Sequence, residues 1–274
     1  MDITAFKMDG LGNDFVIIDQ RTQNYNLTKD QIIRICDRNF IGCDQLIFIQ
    51  KSDQKDAGLE FYNSDGSISG ACGNGTRCVA DLLSKENNDK EITLWTSSGV
   101  LKSQILSNNL VETEIGIAKT NWNEIPLNKN LDTKNLKIKI VNKDNIEHIG
   151  GTSVNVGNPH VVFFVDNIED YDLEKIGPEI ENHNYFPEKC NVTLAKVISK
   201  KLIKVKVWER GAGLTKACGT AACATAVAAN INGLTEKKTD VEFTLGKLSI
   251  TIDQNNSIHM KGPVSDIKNI KINI

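Results

Sequence analysis

Apolar and polar residues follow one another in two rhythms along this chain, and the same succession of rhythms runs twice. Each half opens with a compact apolar run of strand length: Asp14 to Ile18 within "GLGNDFVIID", and His160 to Val165 within "NVGNPHVVFFVD". A helical rhythm follows. "LTKDQIIRICDRNF" puts Ile32, Ile35 and Cys36 on one face, with Thr28 and Gln31 spaced as a capping box. Its later counterpart, "YDLEKIGPEIENH", takes Asp172 as N-cap. Further β-type runs lead to "ACGNGTRCVADLL", where Val79, Leu82 and Leu83 recur at helical spacing, and to "ACGTAACATAVAA". The latter is apolar on every side, which predicts a buried helix, and Gly233 marks its C-terminal end. The Asn-rich stretch from Asn121 to Asn135 reads as a connection between the halves.

The two halves are related by a constant offset. Cys218 follows Cys72 by 146 residues, Asn191 follows Gln45 by 146, Glu209 follows Asn63 by 146, and Asn158 follows Asn13 by 145. "LWTSSGVLKSQI" and "FTLGKLSITI" match at a similar spacing. One match would be chance, but a constant offset in unchanged order implies an internal duplication. The expected boundary lies near Ala118, giving halves 1–118 and 119–262.

Composition narrows the function. With 274 residues, 40% hydrophobic and 24% charged, the chain is expected to be a soluble globular protein. A net charge of −3 argues against nucleic acid or an anionic membrane as partner. The apolar runs are too short to span a bilayer, and the N-terminal "MDITAFKMDGLGND" lacks the pattern of a secretion signal. Seven cysteines without such a signal predict a reducing, cytoplasmic setting rather than a disulfide framework. There is no C-x-x-C, and neither Cys72/Cys78 nor Cys218/Cys223 has metal-ligand spacing, so no metal is expected. Cys36, Cys78, Cys190 and Cys223 read as small buried hydrophobes, and His148, His183 and His259 as surface residues.

Cys72 and Cys218 differ from the other cysteines because each stands at the mouth of a helix and is followed by glycine. A helix N-terminus offers unpaired N–H groups and a positive field, which should lower the thiol pKa and hold a carboxylate. Glycine lets the ligand approach the backbone closely. Two similar halves around a cleft would set the two thiols on opposite sides of an α-carbon. One would remove a proton and the other deliver one, without metal or pyridoxal phosphate. The halves differ where an asymmetric substrate requires it: His160 replaces Phe15, and Glu209 replaces Asn63. Arg210 is placed to take a distal carboxylate bidentately, whereas Arg77 reads as structural.

"GLGNDF", "NSDGS", "ACGNGTRC", "GNPH" and "ERGAGLTKACGT" together resemble the diaminopimelate epimerase family, over roughly residues 10 to 224. That resemblance implies a cofactor-independent isomerase of bacterial lysine and peptidoglycan-precursor synthesis, interconverting LL- and meso-diaminopimelate through Cys72 and Cys218. It implies an α+β fold of two pseudo-symmetric domains. Each would have mostly antiparallel strands wrapped around a central helix, with the active site in the cleft. The C-terminal strand, about residues 263–274, would complete the first domain. By motif, the backbone of Gly73–Asn74 and Gly219–Thr220 would hold the reacting carboxylate. Asn13, Gln45, Asn63, Asn158, Asn191, Glu209 and Arg210 would bind the rest of the substrate, with His160 and Glu209 as accessory catalytic groups. Ala212, Ala221 and Cys43 stand where the family commonly has Ser, Gly and Ala, and none of the three is a proposed proton carrier. The expected partner is the small-molecule substrate alone, and a homodimer is allowed. Two alternatives stand beside this reading. A proline racemase or hydroxyproline epimerase would share the two-thiol logic, and a thiol redox module would use the same pair for electron exchange.

Overall fold

The computed structural model describes residues 2–70, 72–107 and 109–274, so Ala71 of the first Ala-Cys-Gly turn lies outside the described residues. The chain divides into two compact units, Met1–Glu114 with Lys261–Ile274, and Ile115–Met260.

In the first unit, the C-terminal strand (Lys268–Asn273) pairs antiparallel with β1 (Asp2–Asp9), and β1 pairs antiparallel with β2 (Asp14–Asp19). Strand β2 runs parallel to β3 (Gln45–Gln50), which is antiparallel to β4 (Ala57–Asn63). The two-residue β5 (Ile68–Ser69) turns back on β4, and β4 runs parallel to β6 (Glu91–Thr96). Antiparallel β7 (Gly99–Ser107) and β8 (Leu110–Ile117) complete the order.

Side-chain alternation in β2 and β3 feeds two cores. Phe15, Ile17, Ile47 and Ile49 pack with Cys78, Val79 and Leu83 of α2 (Gly73–Asn87). Val16, Ile18, Leu46 and Phe48 pack with Ile32, Ile35 and Cys36 of α1 (Lys29–Cys36). Burial on both faces explains why these strands are continuous apolar runs rather than alternating ones. Helix α1 carries the expected capping box between Thr28 and Gln31. The thiols of Cys36 and Cys43 meet at 3.5 Å beneath it. Gly75, in the first turn of α2, sits where a Cβ would lie 2.7 Å from Ile47 Cδ1 and 3.1 Å from Phe61 Cε1. A side chain there would push the helix mouth off the sheet.

The second unit repeats the plan. A small hairpin of β9 (Ile138–Val141) and β10 (Glu147–Gly150) precedes it. Strands β11 (Thr152–Asn155) and β12 (Pro159–Phe164) are antiparallel, and β12 is parallel to the strand beyond α3 (Leu173–Glu181), β13 (Asn191–Ser199). Strand β14 (Leu202–Glu209) is antiparallel to β13 and to the short β15 (Gly213–Thr215). After α4 (Gly219–Ile231), β16 (Lys238–Phe243) runs parallel to β14, followed by β17 (Gly246–Ile252) and β18 (Ser257–Pro263). The repeat holds at the level of register: Phe15 opposes Gln45 as His160 opposes Asn191, and Tyr62 opposes Ile68 as Trp208 opposes Leu214. The chain therefore holds two units built on the same α+β plan. Helix α4 is buried from Ala221 to Ala229, and Gly233 follows it at φ 69°, as its pattern predicted.

One expectation needs correction. The stretch from Asn121 to Asn135 is not a bare connection, because Ile125 and Leu127 are buried in the core of the second unit, with Trp122 and Leu131 packed against it. A few apolar residues among many asparagines suffice to anchor an irregular segment by its buried side chains.

Trp208 is fixed by a close approach. A Cβ on Gly177 of α3 would lie 2.6 Å from Trp208 Cγ and 3.0 Å from its Cβ, so the indole can lie on the helix only if residue 177 has no side chain. Replacing Gly177 by Ala should destabilise the protein by about 1–3 kcal/mol through overpacking, against a helix-propensity gain of at most about 1 kcal/mol. A lowered urea midpoint with unchanged slope is the expected measurement.

Candidate active site

The site residues gather at the mouths of the two core helices, each within its own unit. In the first unit, Cys72 is the N-cap of α2, with extended backbone (φ −142°), and Gly73 and Asn74 begin the helix. The Gly75 N–H donates to Cys72 Sγ at 3.5 Å, and the Thr76 N–H donates to the Cys72 carbonyl at 2.8 Å. The Cys72 thiol in turn donates to Asn13 Oδ1 at 3.7 Å, and Asn74 Nδ2 approaches the same oxygen at 3.5 Å. Asn13 Nδ2 donates to Asp44 Oδ2 at 2.9 Å. Gln45 and Asn63 face each other across β3 and β4, with Gln45 Nε2 donating to Asn63 Oδ1 at 2.9 Å. Gln45 and Asn63 thus form a polar pair on adjacent strands of the first unit.

Arg77 is structural, as its position on the helix suggested. Its side chain is fully buried and donates from Nη1 to Asn74 Oδ1 at 3.0 Å. It lies just past the first turn of α2, where it serves as a strut for Asn74.

In the second unit Cys218 is the N-cap of α4, followed by Gly219 and Thr220. Its thiol donates to Glu209 Oε2 at 3.1 Å and lies 3.4 Å from Thr220 Oγ1. Burial and the negative charge of Glu209 push this thiol well above the ordinary cysteine range. That corrects the expectation of a lowered pKa at both helix mouths: at Cys218 desolvation and a like charge outweigh the helix field. Burial likewise pushes Cys78 and Cys190 upward, in keeping with inert packing roles.

Asn191, at the start of β13, is oriented at both ends. It donates from Nδ2 to the Pro159 carbonyl at 3.0 Å and accepts from the Arg210 N–H at 3.0 Å. His160 on β12 is fully buried, with Nε2 at 2.9 Å from Asn158 Oδ1 and at 3.5 Å from Asn191 Nδ2. Burial, reinforced by Arg210, lowers its pKa to about 3. The Arg210 guanidinium extends outward, where Nη1 donates to the Glu188 carbonyl at 2.7 Å.

Sequence reasoning missed two carboxylates. Asp44 binds the Asn13 amide, and Glu181 holds the Glu209–Gly211 turn by accepting from Trp208 Nε1 at 2.8 Å and the Gly211 N–H at 3.1 Å. Comparing the halves offers a signal for the first, since Asp44 aligns with Cys190 and has no charged counterpart. Among the described residues, no three His, Cys, Asp or Glu side chains cluster as metal ligands would, and no helix is long and apolar enough to cross a membrane.

A neutral imidazole follows from this burial. The ring signals of His160 should not titrate between about pH 5 and about pH 8, where an ordinary histidine would. Its folded pKa of about 3 lies below the ordinary value of 6.5. The unfolded chain therefore binds a proton that the native site refuses, and stability present above pH 6.5 is lost as pH falls toward 3. A ¹⁵N-detected histidine titration checks the first expectation, and urea midpoints of wild type and His160→Gln across that window check the second.

The chain is similar to several known proteins. A family model described as "Diaminopimelate epimerase" matches residues 5–120 and 152–267, one match for each half. A curated diaminopimelate epimerase from Pelagibacter ubique is 76% identical over 274 residues, covering 100% of both chains. Another, from Acidiphilium cryptum, is 40% identical over 94% of this chain and 92% of its own length. Among solved structures, a hydroxyproline epimerase from Agrobacterium vitis has a TM-score of 0.68 at 12% identity, covering 98% of this chain and 91% of that one, and so shares the fold.

Proposed function

The chain belongs to the diaminopimelate epimerase family, and from that premise we propose that Cys72 and Cys218 interconvert LL- and meso-diaminopimelate by moving protons at one α-carbon. The observation that carries the reading is the repeated cysteine N-cap followed by glycine, at equivalent places on the core helices of the two units. Inversion needs one proton carrier for each face of the carbon. In one direction a thiolate accepts the α-proton while the other cysteine, as thiol, donates its own to the opposite face. The reverse direction exchanges the roles, and no proton is consumed overall.

The first-turn N–H groups around Gly73–Asn74 and Gly219–Thr220 hold the reacting carboxylate and stabilise the charge that builds on it. Asn13, Gln45, Asn63, Asn158, Asn191 and Arg210 supply the polar contacts for the rest of the substrate. Glu209, in contact with Cys218 Sγ, takes the thiol proton when that cysteine must act as base. His160, uncharged, keeps Asn158 and Asn191 in place without adding a second positive charge beside Arg210. All seven cysteines are unbridged, which suits a reducing cytoplasm.

Wild-type protein should convert LL-diaminopimelate to the meso form and leave proline unchanged. Turnover of proline without diaminopimelate would favour the proline racemase reading. Cys72→Ala and Cys218→Ala should each lose epimerisation, by about 10³-fold or more, since each removes a proton carrier outright. Residual α-proton exchange into deuterated water should survive with opposite preference: one variant on the LL isomer, the other on the meso isomer. Equal exchange of the same isomer by both variants would contradict the two-carrier mechanism.

A further inference from the structure

We infer that Asp44 is a positioning residue for proton transfer at Cys72, because its carboxylate dictates which end of the Asn13 amide faces the thiol. The inference rests on the reading of Cys72 as a proton carrier. An amide has a donor end and an acceptor end of almost equal size, so packing alone selects poorly between them. Hydrogen-bond partners that can only accept, or only donate, select strictly.

A carboxylate only accepts. Asp44 Oδ2 lies 2.9 Å from the Asn13 amide, so the atom facing it must be the NH₂ group, and the Asn13 carbonyl is turned toward Cys72 Sγ at 3.7 Å. A guanidinium only donates. Arg77 Nη1 lies 3.0 Å from the Asn74 amide, so Asn74 offers its carbonyl there and turns its NH₂ toward Asn13 Oδ1 at 3.5 Å. One anion and one cation thus fix the same chain of hydrogen bonds from opposite ends, and their choices agree. With the carbonyl toward sulfur, Asn13 accepts the S–H proton. The flipped amide would point N–H groups at sulfur and favour the thiolate instead.

Asp44 is itself held by two further donors. Arg38 Nη2 reaches Oδ1 at 2.5 Å, and the Asp14 N–H shares Oδ2 at 3.0 Å. An asparagine at position 44 cannot serve all three donors. If its oxygen faces the Arg38 charge, its NH₂ faces Asn13, and the Asn13 amide must turn over. Removing Arg38, whose side chain is 58% exposed, relieves that conflict and lets the new amide present oxygen to Asn13 again.

The test compares wild type, Asp44→Asn, Arg38→Met and the double variant in the full-length protein. Three quantities are read: kcat for diaminopimelate, the rate of Cys72 alkylation by iodoacetamide, and Cys218 alkylation as an internal control. We expect Asp44→Asn to lose about 10²-fold in kcat, the scale of a misplaced catalytic group. Cys72 should alkylate faster in that variant, with Cys218 unaffected. Arg38→Met should keep most of the activity, and the double variant should recover most of the kcat and the slower alkylation. A merely structural role predicts the reverse order, because the double variant lacks one more ion pair. Full activity in Asp44→Asn overturns the inference, and so does a double variant no better than the single one. Should Asp44→Asn not fold, the double variant decides alone: near-wild-type kcat supports the inference, and low kcat or failure to fold overturns it. An inactive wild type would instead refute the functional reading itself.

Discussion

In each unit the candidate residues depend on a helix whose N-terminus ends inside the protein with a cysteine as cap. A helix mouth needs acceptors for its first N–H groups, and Ser, Thr, Asp or Asn normally supply them. Sulfur is a weak acceptor, and at α2 it receives a long contact from the Gly75 N–H. Such a mouth costs stability by itself and would become favourable with a carboxylate on it, as proposed. The strands enclosing each helix make that possible by excluding water from its flanks. They also demand small residues, which is why six of the thirteen residues of α4 are alanine and why α2 opens with Gly73 and Gly75.

Duplication supplied two such mouths, and divergence gave them different electrostatics. In the second unit a carboxylate, Glu209, touches the thiol directly; in the first, Asn63 stands in its place and an amide carbonyl faces the thiol instead. The amide partners are also held differently. Asn13 is oriented by the Asp44 charge, whereas Cys190 occupies the aligned position and Asn158 meets an uncharged imidazole. A reaction that needs an acid and a base at the same moment is served by this inequality. Identical mouths would tend to hold identical protonation states.

Local signals were legible in the sequence because they are local. The capping box of α1, the N-cap at Asp172 and the two cysteine turns depend on residues within four positions of each other. The repeat was legible as a constant offset, which turned one ambiguous pattern into two consistent ones, although the strand registers themselves were not. The Cys218 pKa was not. Dipole reasoning considers the helix alone, whereas the upward shift comes from burial and from a side chain on β14. Asp44 was passed over because an acidic residue before a strand looks like an ordinary turn residue. Only the hydrogen bond from Asn13 singles it out. The apolar anchors between Asn121 and Asn135 were hidden by the polarity of their neighbours.

The contact between Cys218 and Glu209 also resolves an apparent conflict. A buried thiol raised far above neutrality looks like a poor base, yet the proposed proton transfer has to run in both directions. The two groups lie 3.1 Å apart, so in the proposed reaction one proton can pass directly between them. With the proton on sulfur the pair is an acid, and with the proton on the carboxylate it is a thiolate base. The total charge is −1 in either case. Moving a proton within such a pair leaves the number of buried charges unchanged, which avoids the desolvation cost of creating a new ion. The positive end of α4 favours the single negative charge near its mouth, whichever atom carries it. A depressed pKa is therefore not required for reversibility at this cysteine. A partner that can hold its proton at short range is sufficient.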